Sequence, residues 1–274
     1  MPAPLIRILS DVHFGDRASR VTRLAQLRPL LDGADHLVLN GDTLDTRAGP
    51  QPAHTAETRA AVADFFPRHV GTVTLLTGNH DPDISAEHEI ELGDGIIWVT
   101  HGDVFFDDIV PWGNDAPLIR TLLADTRQSA PPHPANLETR FEAFRRVAAS
   151  IPQRHQSERD PLKYTLSFLG DTAWPPQRIL RVLRAWRDGP ALAAAMARRH
   201  RPQARWIVCG HTHRPGITRP PGGPVVINTG SFCPPFGARL VDILPDHVVV
   251  HEVRPSRGEF RRGPVVAEFP LAQA

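Results

Sequence analysis

The chain has 274 residues, 41% hydrophobic and 22% charged, with a net charge of +1. That balance fits one large globular domain, or a core carrying a sizeable insertion. It excludes a strongly basic or acidic binding protein, and no run reaches the roughly 18 apolar residues of a membrane-spanning helix.

The first hundred residues alternate strand-like and helix-like pieces. Leu5–Ser10 reads as a buried strand, short, apolar and ended by Asp11. Val21, Leu24, Leu27 and Leu31 then recur at helical spacing. His36–Asn40 predicts a second buried strand, a helical pattern runs over 57–66, and Val70–Leu76 and Ile96–Thr100 predict two more strands. Such alternation predicts an α/β architecture with both sheet faces covered.

Beyond Val104 the strand signals fade. Prolines cluster at Pro131, Pro132 and Pro134, and two helical faces emerge, one of Leu137, Phe141, Phe144 and Val147, the other of Ile179, Val182, Leu183 and Trp186. We read 105–200 as a mostly helical insertion or cap. Strands resume at Trp206–Cys209, Val225–Asn228, Ala238–Ile243 and His247–Val253, with a Gly/Pro turn at 220–224. The expected division is a core over 1–104 and 201–255, the cap over 105–200, and a loose polar tail over 256–274.

Residues 105–205 hold 16 Lys/Arg against 10 Asp/Glu. With Lys163 the one lysine of the chain, this reads either as a compositional bias toward arginine or as a surface that meets an anionic substrate. Met1–Pro4 is too short for a secretory leader ahead of the first motif, so a cytoplasmic protein is expected. Cys209 and Cys233 lie in apolar stretches and read as small buried hydrophobes.

The strand ends carry the chemistry. They read Asp11-Val12-His13, Gly41-Asp42, Gly78-Asn79-His80-Asp81, His101-Gly102-Asp103 and Gly210-His211-Thr212-His213. In open α/β sheets, ligands bind beyond the carboxyl ends of strands, where such residues can converge. Three Asp/Asn oxygens and four imidazoles suit Mn, Fe, Zn or Ni. They are too many for one ion, but two cations about 3.5–4 Å apart and sharing a carboxylate would use them all.

These motifs, in this order, resemble the calcineurin-like metallophosphoesterase superfamily over roughly 5–104 and 205–253. The resemblance implies a four-layer αββα sandwich, two mixed β-sheets face to face with helices outside, and two divalent metals, manganese favoured. It implies Asp11, His13, Asp42 and His213 at the first metal, with Asp42 bridging to a second completed by Asn79, His101 and His211, and a bridging water or hydroxide as nucleophile. His80 matches the family histidine that faces the leaving group, where an imidazole can protonate a departing alkoxide. Asp45, in a Gly-Asp-x-x-Asp pattern, or the neighbouring Asp81 would hold its ring. Asn228-Thr229-Gly230-Ser231 resembles the Asn-x-Gly-Ser turn of the same family and reads as a structural turn.

The implied activity is hydrolysis of a phosphomonoester, phosphodiester or pyrophosphate in a small phosphate-containing substrate. The alternatives are a nuclease, which would need a basic groove with stacking aromatics, and a non-catalytic scaffold, which would have shed ligands that are all present here. The helical insertion is similar in layout to bacterial UDP-2,3-diacylglucosamine pyrophosphatases. Those enzymes carry Arg where His80 stands, so the layout transfers and the substrate does not; contact with a membrane is expected only if the substrate is a lipid. His36, His54, His69, His88, His133, His155, His200, His247 and His251 match no motif and are expected at the surface or in packing, as Trp112, Trp174 and Trp186 are in the core.

Overall fold

The computed structural model describes residues 4–128, 136–153 and 177–271. His133, His155, Lys163, Trp174 and the prolines at 131, 132 and 134 lie outside them. Among the described residues, eleven strands form two mixed sheets. The first sheet is ordered β11-β10-β9-β1-β2-β3, from β1 (Ile6–Leu9), β2 (His36–Asn40), β3 (Thr72–Leu76), β9 (Arg239–Ile243), β10 (His247–Ser256) and β11 (Glu259–Pro270). The second is ordered β4-β5-β6-β8-β7, from β4 (Glu89–Leu92), β5 (Ile97–Thr100), β6 (Trp206–Cys209), β7 (Gly216–Thr218) and β8 (Val225–Asn228). β1, β2 and β3 run parallel, as do β5, β6 and β8.

Period-2 alternation turns these strands into layers. Ile8, Val38, Val99, Trp206, Val208, Val225 and Ile227 point between the sheets into one cluster. Their neighbours point the other way: Leu9, Leu37 and Leu39 meet Leu27, Leu30, Leu31, Val62 and Phe66 of the first helical layer. Trp98, Ile207, Cys209 and Val226 meet the second helical layer, where Phe141, Phe144, Val147 and Ala193 pack. The result is the helix–sheet–sheet–helix sandwich, because buried strands must cover both faces.

The first layer holds α1 (Arg28–Leu31) and α2 (Pro52–Phe65). The helix expected over 21–31 is in fact a 3-10 turn, Leu24–Leu27, running into α1, with Pro29 in the first turn of α1. The second layer holds α3 (Ala116–Gln128), α4 (Leu137–Ser150) and α5 (Gln177–His200). On α4 the face Leu137, Phe141, Phe144 and Val147 is buried, and the Asn136 side chain caps it by accepting from the Glu138 N–H.

Two expectations need correction. On α5 the apolar face read from the sequence is only partly covered: Ile179 and Leu183 are 46% and 48% exposed and Val182 and Trp186 half-buried, while Ala185, Ala193, Ala194 and Ala197 are buried. Small alanines let the helix lie close to the sheet, which outweighs the size of the apolar residues on its other side. The loose tail is instead β11, paired with β10 from Ser256↔Glu259 to His247↔Pro270. Its side chains are mostly exposed, so no apolar alternation marks it, and Gly263-Pro264 sit where the register shifts. β4 and β7, short strands at opposite edges of the second sheet, also had no expectation. No helix among the described residues is long and apolar enough to cross a membrane.

Candidate metal centre

The parallel strands of both sheets end at one place, and the loops beyond them meet across the sandwich. Asn40, fully buried at the end of β2, stitches the floor by donating to the carbonyls of Thr100 (3.1 Å) and Val208 (3.3 Å) in the opposite sheet. Above it the loops interlock: the Asp11 N–H donates to the Gly41 carbonyl, and the His13 N–H to that of Asp42. Asp11, His13, Asp42, His211 and His213 all take left-handed φ values between 48° and 66°. Such conformations cost of order 1–3 kcal/mol each and persist where the surroundings impose them.

Two glycines show how close the approach is. A Cβ on Gly41 (φ 76°) would lie 2.5 Å from the His101 ring, and one on Gly210 would collide with the Asp11 carboxylate. The motif glycines are therefore spaces for ligands as well as turns.

Asp11, His13, Asp42 and His213 each bring a ligand atom within 4.8 Å of all the others. His13 Nε2 and His213 Nε2 stand 3.1 Å apart, and His213 Nε2 lies 3.3 Å from Asp11 Oδ1. The Asp11 carboxylate is steadied by the Ser10 hydroxyl and by the His211 N–H. Asp42 Oδ2 is 3.7 Å from His13 Nε2 and 3.4 Å from His101 Nε2, so one oxygen faces both halves of the site. Its other oxygen accepts from the His80 N–H at 2.8 Å.

The second half gathers Asn79, His101 and His211 around Asp42. His101 Nδ1 donates to the Asn40 carbonyl at 3.1 Å, which leaves Nε2 facing Asn79 Oδ1 at 3.3 Å. His211 uses the opposite nitrogen: Nε2 donates to the Ile109 carbonyl at 2.9 Å, leaving Nδ1 for the centre. Such outer contacts orient a ligand ring. The His101 and His211 rings lie 5.1 Å apart.

Charge follows burial. Burial opposes ionisation of Asp11 and Asp42, yet the surrounding imidazoles hold both below the ordinary carboxylate value. Burial lowers His13 to about 4 and His211 to about 3, aided by neighbouring imidazolium charge, so both offer neutral lone pairs. Burial also opposes a charge on His101, but Asp42 outweighs it and raises His101 well above the usual value. Two buried carboxylates, three deeply buried imidazoles and an amide oxygen facing one another are a donor set that fits divalent cations.

His80 stands at the rim, its side chain 29% exposed, against 3% for His13 and 0% for His101. Its Nδ1 lies 3.1 Å from Asp45 Oδ2. Of the two acids considered for its ring, Asp45 therefore makes the contact. Asp81 instead accepts from the backbone N–H groups of Asp42 (2.9 Å), Thr43 (2.7 Å) and Gly78 (2.8 Å), holding two ligand loops together. Burial and the Asp42 charge push Asp81 up to about 7, and those N–H donors do not reverse it.

Sequence reading missed Arg47. Its Nε and Nη2 grip Asp45 at 3.0 and 2.7 Å, and Nη2 lies 2.9 Å from His80 Nδ1. One arginine among many, two positions past Asp45, carries no signal of its own. Gln153, just past α4, donates to the Asp45 carbonyl and so ties the helical segment to this loop. Trp112 and Trp186 also touch the site: the Trp112 ring lies 5.2 Å from His211, and Trp186 Nε1 donates to the Thr212 carbonyl. Beside them opens a cleft of about 220 Å³, lined by Phe105, Phe106, Trp186, Thr212 and Arg214. Ser231, in the Asn228–Ser231 turn, donates to the Asp11 carbonyl and braces that ligand's backbone.

The structure is similar to that of a dimetal phosphatase from Danio rerio, at 15% identity and a TM-score of 0.46, covering 99% of each chain. It is also similar to Vacuolar Protein Sorting 29 from Cryptosporidium parvum, at 13% identity and a TM-score of 0.43 over 98% of this chain and 100% of that one. A protein from Streptococcus pneumoniae TIGR4 described as a predicted phosphoesterase matches at 16% identity and a TM-score of 0.39, over 98% and 99% of the two chains. Likenesses this distant carry nothing about substrate. Among curated proteins none matches significantly. The family model for calcineurin-like phosphoesterases, in contrast, matches residues 5–215, which span all five ligand motifs, and the chain belongs to that family.

Proposed function

We propose that the chain is a dinuclear metal-dependent phosphoesterase that hydrolyses a phosphomonoester, phosphodiester or pyrophosphate. The observation that carries this reading is the position of Asp42, whose Oδ2 faces His13 on one side and His101 on the other, as a shared carboxylate between two cations must. Asp11, His13, Asp42 and His213 would hold the first ion, and Asp42, Asn79, His101 and His211 the second. Bound there, two divalent cations supply Lewis-acid charge at the phosphoryl group and make water a competent nucleophile near neutral pH. Mn²⁺ is our favoured activator among Mn, Fe, Zn and Ni.

The chain's own residues do the rest. His80 Nδ1 is engaged by Asp45, so Nε2 is the nitrogen left to give a proton to the leaving oxygen. Burial and Arg47 oppose a charge on His80, but Asp42 and Asp45 outweigh them and raise it, which keeps a proton available for transfer. Arg47 locks Asp45 in place with two hydrogen bonds. The cleft walled by Phe106, Trp186 and Arg214 is the space for the rest of the substrate, and most of its aromatic wall comes from 105–200.

The test is metal analysis of the purified protein together with hydrolysis of a chromogenic phosphodiester. Close to two transition-metal ions per chain and Mn²⁺-dependent turnover are expected. Failure to take up metal after reconstitution overturns the reading. A panel of nucleotides, cyclic nucleotides, UDP-sugars, phosphopeptides and single-stranded DNA then separates small substrates from nucleic acid.

A further inference from the structure

The cleft beside the centre is small and aromatic. Its volume of about 220 Å³ falls below the roughly 300–1,000 Å³ of sites that enclose larger ligands, so it suits one ring-sized group. It begins at the ligand loop: Gly210 and Thr212 line it, and Thr212 stands between His211 and His213. Phe105 and Phe106, each 6% exposed, give it an apolar aromatic lining.

Trp186 also lines the cleft, is half-buried, and is fixed by three contacts. Its Nε1 donates to the Thr212 carbonyl at 3.0 Å, the Arg214 guanidinium lies 5.3 Å from its ring centroid, and Phe236 meets it edge-on at 5.4 Å. An indole held this way has little freedom left to lose when a ligand stacks on it. Arg214 brings positive charge to the same cleft, which suits a ligand that carries phosphate.

The helix that bears Trp186 is cut back at this point. Gly189 and Pro190 line the cleft from inside α5, where glycine and proline are the least favourable residues. Gly189 puts no side chain into the wall, and a Cβ there would meet Phe106 Cζ at 3.5 Å. Pro190 has no N–H, which removes the helical donor of the Trp186 carbonyl and leaves that oxygen for another partner.

We propose that this cleft is the subsite for a flat aromatic ring carried by the phosphate ester, with Trp186 the residue that selects it by stacking. The inference rests on the phosphoesterase reading above and narrows its substrate class. A nucleobase and a simple aryl group share this chemistry; a nucleobase alone adds N–H donors for the Trp186 carbonyl.

The test is competition against hydrolysis of a chromogenic phosphodiester by the Mn²⁺-loaded chain. The competitors are adenosine monophosphate, ribose 5-phosphate, phenylphosphonate, cyclohexylphosphonate and inorganic phosphate. Each ring-bearing competitor should bind about 5–150-fold more tightly than its partner without an aromatic ring. Trp186→Leu should erase that preference and Trp186→Phe should keep most of it, with inhibition by inorganic phosphate unchanged in both. Preference for adenosine monophosphate alone assigns the ring as a nucleobase, and preference for both assigns an aryl group. Equal binding of aromatic and non-aromatic competitors by active wild-type enzyme, or a preference that survives in Trp186→Leu, overturns the subsite and leaves the phosphoesterase reading standing. Metal-loaded protein that hydrolyses no ester overturns both.

Discussion

The two halves of the centre are built differently. The first half, Asp11, His13, Asp42 and His213, comes wholly from loops of the sandwich, and its four ligand atoms already lie within 4.8 Å of one another. The second half depends on the helical segment. His211 is tied to the Ile109 carbonyl, and Phe106 and Trp112 pack on its ring at 5.7 and 5.2 Å. Ile109 itself takes a φ of 57°, a costly conformation for a β-branched residue, held where its carbonyl meets His211. In the proposed dimetal reading the core preforms the first metal position, while the second takes part of its orientation from the segment that also walls the cleft beside Trp186.

The most drastic way to break the comparison is to remove what the halves share. Asp42→Ala should abolish phosphodiester hydrolysis and lower metal content at both positions, as measured by metal analysis; loss of only one ion would mean that Asp42 does not bridge. Next comes His80→Ala, which should slow a substrate with a poor leaving group by about 10²–10⁴-fold. With a leaving group as good as nitrophenolate the loss should be far smaller, and equal losses would remove the acid role.

A cut outside both halves should change stability alone. Arg7 and Asp242 form a buried pair at 2.7 and 2.8 Å. Arg7→Leu leaves the buried Asp242 carboxylate only its longer contacts to Arg262 (3.4 Å) and His251 (3.8 Å), and should cost about 3 kcal/mol in denaturant unfolding, with metal content at two ions unchanged. The smallest expected effect separates the halves. Trp112→Ala should weaken the second ion by about 10–100-fold through the orientation of His211, and isothermal titration should show the first ion unaffected. Equal weakening of both would erase the distinction.

Much of this centre is legible in the sequence, since each proposed ligand follows a strand and strand ends converge by geometry. The apolar runs of β1, β2, β5 and β6 carried that signal because residues buried on both faces must be apolar. The misreadings share one cause. On α5, four buried alanines were overlooked in favour of larger residues, because burial depends on what a helix packs against as much as on its own composition. β11 escaped notice because edge strands are held by backbone hydrogen bonds, which polar sequences form as readily as apolar ones.

By itself, then, the sequence determined the donor types, their order and their places past the strands, because strand burial and ligand chemistry are both written in residue identity. Tertiary structure decided the rest. It set Asp45 rather than Asp81 against His80, chose opposite nitrogens on His101 and His211, and brought Arg47, Trp112 and Trp186 to the site. Those choices follow from loop curvature and from contacts between residues far apart in the chain, which no local pattern encodes.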